Sequence, residues 1–104
     1  MITTRALLLA AADFFERHPD RWIQHVSARN KDGKTVFATG PEAYCFCLDG
    51  RLRSLSDDGR AYDDAEYALF PHVGNDLYWF WNDRPGRTVA EVITVLRQAA
   101  AALP

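Results

Sequence analysis

The sequence predicts an α+β fold: a single small domain in which N- and C-terminal amphipathic helices and one or two further helices pack on a two-stranded antiparallel hairpin. Three observations lead there. The 104 residues match the size of one hydrophobic core. The apolar residues at both ends recur every three or four positions, and between them lies a stretch of period two around the turn sequence Asn30-Lys31-Asp32-Gly33. A composition 48% hydrophobic and 25% charged is too apolar for a disordered chain.

The first helix is expected over about Thr4 to His18. Leu7, Leu8, Ala11, Phe14, Phe15 and His18 form its stripe, Thr3 or Thr4 caps it, and Pro19 stops it. Arg5 followed by ALLLAAA has some look of a secretory signal. The apolar phase, however, continues through Phe14 and Phe15 beyond Asp13, as a helix of the mature domain would have it.

From Arg21 to Ala38 the alternation predicts two strands. Trp22, Gln24, Val26 and Ala28 share one face of the first, and Thr35 to Ala38 return as the second. Thr39 and Glu42 have capping-box spacing and Pro41 suits a first helical turn, so a helix is expected from there to about Leu55. Ala43, Cys47, Gly50 and Ser54 give that helix a small-residue stripe against which another backbone can come close. A short helix is expected over about Tyr62 to Phe70, with Asp63, Asp64 and Glu66 in its first turns. A helical turn over Leu77 to Trp81 is started by Asn75 or Asp76. The last helix has its own capping box, Thr88 and Glu91, and a stripe of Val89, Val92, Ile93, Leu96, Ala99, Ala100 and Leu103.

With this order in hand, the chain resembles a domain-of-unknown-function family of small bacterial and phage proteins. The segments that carry the resemblance are Pro41-Glu42-Ala43-Tyr44-Cys45-Phe46-Cys47-Leu48-Asp49-Gly50 and, above all, Trp81-Asn82-Asp83-Arg84-Pro85-Gly86-Arg87-Thr88. Asp49 and Arg51 depart from the family's pattern. The resemblance implies a helix–hairpin–helix order and no activity.

The chemistry-bearing residues point to few sites. The net charge of -2 and dispersed basic residues give no footprint for nucleic acid. No apolar run reaches the length of a membrane span. Cys45 and Cys47 are two apart, which on a helix sets them about 200° apart, so both are expected as reduced, metal-free thiols of a cytoplasmic protein. Asp57, Asp58, Asp63, Asp64 and Glu66 lack the alternate-ligand order of a calcium loop and read as a solvated acidic stretch. His18 suits a helix C-terminus. No nucleophile motif frames the histidines, so no catalytic residue, metal or cofactor is assigned.

The unusual feature is the run Tyr78-Trp79-Phe80-Trp81. Four consecutive aromatics cannot all face inward, and exposed aromatics beside arginine are the usual make-up of a binding hot spot. The predicted site is therefore Trp79, Tyr78, Arg84 and Arg87, engaging a protein partner or a second copy of the chain. Trp81 is read either as part of a recognition tip or as a core anchor, the latter favoured, with Asn82 and Asp83 supplying turn and cap hydrogen bonds. The alternative is a small enzyme or ligand-binding domain with a pocket near His72, Asp76 and the tryptophans.

Overall fold

A computed structural model describes residues 2–57, 59–74 and 77–104, with the backbone alone for Tyr78. Helix α1, Thr4–Arg17, begins where Thr3 Oγ1 accepts from Ala6 N, and His18 forms its C-cap before Pro19. A single 3-10 turn, Pro19–Arg21, then redirects the chain. Helix α5, Val89–Ala102, has both arms of its capping box, Thr88 with Glu91. Arg5 in the first turn of α1 donates to the carbonyl of Ala100, and Arg97 of α5 reaches Asp13 and Glu16 in the last turns of α1. The two helices therefore run antiparallel, and theirs is the most extensive contact in the fold. Leu7, Leu8, Ala11 and Phe15 of α1 meet Val92, Leu96 and Ala99 of α5 in one buried cluster.

The two-stranded antiparallel sheet is present, but both strands differ from the predicted ones. Residues 24–27 bend, with Trp22 making only an isolated bridge to Phe46, so the first strand is confined to the end of its predicted span. Strand β1, Ala28–Arg29, pairs with β2, Cys45–Phe46, in the register Ala28 with Phe46 and Arg29 with Cys45. The turn at Asn30 does form: Asn30 Oδ1 accepts from the amides of Asp32 and Lys34, and Gly33 takes φ +82°. Beyond it Thr35 makes one bridge to Arg29, and a further turn begins at Phe37. Val36 N still donates to the Ala28 carbonyl on that edge, while the opposite edge of β1, through the carbonyls of Ser27 and Arg29, takes the segment that buries Phe46 against Phe14 and Ala28.

The helix expected from Pro41 accordingly begins late. Helix α2, Leu48–Leu55, is capped by Cys47, whose Sγ accepts from Gly50 N, and the Thr39–Glu42 stretch is made of turns. Within α2, Gly50 fulfils the close-approach reading of the small-residue stripe. A Cβ there would lie 1.9 Å from the carbonyl oxygen of Ser27, so only glycine admits that backbone. Helix α3, Gly59–Leu69, starts earlier than expected, which moves Asp63, Asp64 and Glu66 out of its first turn. It runs into a 3-10 turn, Phe70–Val73, closed by Gly74 at φ +69°. Helix α4, Tyr78–Asp83, follows with Leu77 as N-cap. The expected starters Asn75 and Asp76 lie outside the described residues.

Candidate partner-binding surface

What positions the aromatic run is the pair Asn82–Asp83 at the end of α4. Asn82 is fully buried, and its Oδ1 accepts from Trp22 Nε1 at 2.7 Å and from Leu48 N at 3.1 Å. Its Nδ2 donates to the carbonyl of Ile23 and to Asp83 Oδ1. Gln24 Nε2 donates to the carbonyls of Asn82 and Arg84, and Asp83 Oδ1 accepts from His25 N at 2.8 Å. That last bond holds His25 at φ +78°, a conformation non-glycine residues seldom adopt. The Asn82 side chain thus ties α4 to Trp22, Ile23 and the N-terminus of α2, Gln24 and Asp83 add residues 24 and 25, and every polar atom of the Asn82 amide is used.

Trp81 is buried as an anchor, which removes it from any recognition tip. Arg87 stacks on it, with Cζ 3.8 Å from the ring centroid, donates to the Trp81 carbonyl at 2.9 Å and pairs with Glu91 at 3.0 Å. Of the four predicted binding residues, Arg87 is thereby engaged in holding α4 against α5. Arg84 is exposed, and its carbonyl serves the Gln24 contact. The Tyr78 side chain lies outside the described residues. Trp79 is 37% exposed and Phe80 58%, their ring centroids 6.0 Å apart.

These two rings are accompanied by others. Tyr67 of α3 is 82% exposed, and Phe70 and Leu77 are exposed beside it. Asp63, Glu66, Tyr67, Phe70 and Leu77 line a shallow cleft of about 470 Å³ between α3 and the start of α4. Asp63, Glu66 and Tyr67 of α3 and Phe70 at the start of the following 3-10 turn keep three- and four-residue spacing, away from the core residues Ala61, Ala65 and Leu69. Leu77 and Phe80 stand in the same relation across the start of α4. The result is an apolar surface with a carboxylate edge.

The family model of DUF6197, a family of unknown function, matches residues 1–102. The chain belongs to this family. No curated protein and no solved structure matches this DUF6197 member.

Of the alternative pocket in this DUF6197 chain, only part lies within the described residues. His72 is half-buried and is not among the described residues lining the α3–α4 cleft, and Asp76 lies outside the described residues. Cys45 and Cys47 stand in extended backbone, so the helical-spacing argument against joint ligation does not apply to them. Among the described residues no group of three His, Cys, Asp or Glu side chains is arranged to hold a metal, and both thiols are free. Burial pushes the Cys47 thiol up to about 11, against the smaller opposing pull of its hydrogen bond from Gly50. Among the described residues no helix is long and apolar enough to cross a membrane. Sequence reasoning passed over Tyr67, Phe70 and Leu77, and named Phe80 only as a member of the aromatic run. The signal was present for the first two, which sit three apart at the end of α3 and the start of the turn after it, out of phase with the core stripe of α3.

Proposed function

We propose that this chain is a non-enzymatic protein-interaction module that engages its partner through the α3–α4 surface. The observation that carries this reading is the concentration of Tyr67, Phe70, Leu77, Trp79 and Phe80 as exposed large apolar side chains along one stretch of α3 and α4. Apolar surface of this kind gains free energy only when a partner covers it, and buried aromatic side chains supply most of the energy in many interfaces. The fully bonded Asn82 lowers the cost of binding, since a frame that is already rigid loses little freedom on association. Trp79 remains within the proposed surface, with Arg84 at its margin. On the sequence resemblance, the partner is a bacterial host factor and the chain an accessory protein of a phage or mobile element, acting in the cytoplasm.

The test is the double variant Tyr67→Ser, Phe80→Ser, used with the wild type in affinity capture from the native host and in sedimentation velocity. Exposed sites should shift folding stability by no more than about 0.5 kcal/mol each. A partner, or a second copy, that the wild type retains and the equally stable double variant loses supports the reading. Equal retention by both proteins overturns it.

A further inference from the structure

Three cationic side chains, none of them ion-paired among the described residues, gather near the junction of α1, the first 3-10 turn and α2, with Asp32 and Glu42 lining the Lys31 end of the cluster. Arg21 ends that turn and Arg51 stands in α2, and both guanidiniums lie on the ring of Phe14, with Cζ 4.8 Å and 3.9 Å from its centroid. Arg21 also covers Tyr44 at 4.0 Å, Arg51 approaches Phe46 at 5.0 Å, and Lys31 Nζ sits 5.5 Å from the Tyr44 centroid. Phe14 and Phe46 meet edge to face, which makes the aromatic floor continuous. Among the described residues, Arg53, Arg87 and Arg97 each hold a carboxylate, whereas no carboxylate lies within ion-pair distance of Arg21, Lys31 or Arg51.

The donors are only partly used. Arg21 Nε donates to the Tyr44 carbonyl at 2.6 Å, and one Arg51 terminal nitrogen reaches Ser54 Oγ at 3.4 Å. Arg51 Nε is buried and meets no acceptor among the described residues. Both side chains are half-buried, so solvent reaches them while screening is weaker than on an open surface. Burial first, and then the charge of Arg21, draw the Arg51 guanidinium below its ordinary value, as two like charges without a counterion must. Stacking on aromatic faces offsets part of that repulsion and restricts the rotamers of both side chains.

We propose that Arg21 and Arg51, with Lys31 beside them, bind a phosphate group, either a free phosphate ion or a phosphate monoester. A tetrahedral dianion suits this arrangement better than a carboxylate does. One planar carboxylate saturates a single guanidinium fork, whereas phosphate offers separate oxygens to two forks and carries enough charge to neutralise both. The site uses none of the residues of the α3–α4 surface, so it stands or falls independently of the interaction reading.

The experiment is an NMR titration that follows the Nε–Hε signals of Arg21 and Arg51 on adding inorganic phosphate, phosphoserine or acetate at matched ionic strength. Saturable shifts of both signals with inorganic phosphate or phosphoserine, and not with acetate, are the expected result. The tighter of the two phosphate probes tells whether the free ion or the monoester is the natural source. Arg21→Lys, Arg51→Lys keeps the charges but loses the forks, and should weaken binding about tenfold or more, the equivalent of one lost charge-assisted hydrogen bond. Shifts that only track ionic strength, or a folded double variant that binds phosphate as well as the wild type, overturn the proposal. Should the double variant fail to fold, the wild-type titration decides by itself.

Discussion

At the scale of single residues, Asn82 and Cys47 show how a polar atom can carry structure without chemistry. Truncating Asn82 strands the indole N–H of Trp22, the amide of Leu48 and the carbonyl of Ile23 in one step. Each stranded buried group costs about 1–3 kcal/mol, so Asn82→Ala is expected to lose roughly 3 kcal/mol or more in urea unfolding. A loss under about 1 kcal/mol would show that the network relaxes without its centre. Cys47 gives a pH dependence whose sign follows from its thiol. Its folded value of about 11 stands above the ordinary 9.0. The folded state therefore favours the protonated thiol, so the contribution is complete below pH 9 and disappears as the pH rises through about 11. Cys47→Ser keeps an acceptor for Gly50 N and removes the titration. Its stability relative to wild type should therefore improve between those two pH values, as chemical unfolding at stepped pH would show.

At the scale of elements, α5 and α2 were legible to very different degrees. For α5 everything that defines it is local: two capping residues three apart and a stripe that stays in phase for four turns. Leu96 sits fully buried at the middle of that stripe, and Leu96→Ala should cost about 2–5 kcal/mol by equilibrium unfolding. The segment before α2 carried equally good local signals in Thr39, Pro41 and Glu42, and they lost. Cys45 and Phe46 gain two ladder positions on β1 and the Phe14–Phe46 packing by staying extended, which a helix begun at Pro41 would forfeit. A second capping residue, Cys47, then starts the helix one turn before Gly50 must pass beneath Ser27.

At the scale of the whole molecule, residues from all five α-helices enter a single buried cluster, joined by Ala28 and Phe46 of the sheet. Unfolding is therefore expected to be cooperative. The fluorescence of Trp22 and Trp81, which reports on the Asn82 frame, and the far-ultraviolet helical signal should follow one urea transition. Separate midpoints would divide α4 and its frame from the α1–α5 pair.

The sequence by itself determined the fold class, the two terminal helices with their caps, the turn at Asn30–Gly33 and the impossibility of burying all four aromatics of residues 78–81. Each of these depends on neighbours within one helical turn or one hairpin, where spacing translates directly into geometry. Only the tertiary structure decided which strand pairs with β1, where α2 starts, and that Arg87 serves the frame while Tyr67, Phe70 and Leu77 join the exposed surface. Those outcomes turn on contacts between residues tens of positions apart, such as Trp22 with Asn82 and Ala28 with Phe46. Long-range pairing of that kind overrides local propensity, because burying an aromatic ring or satisfying a buried amide is worth more than a single cap.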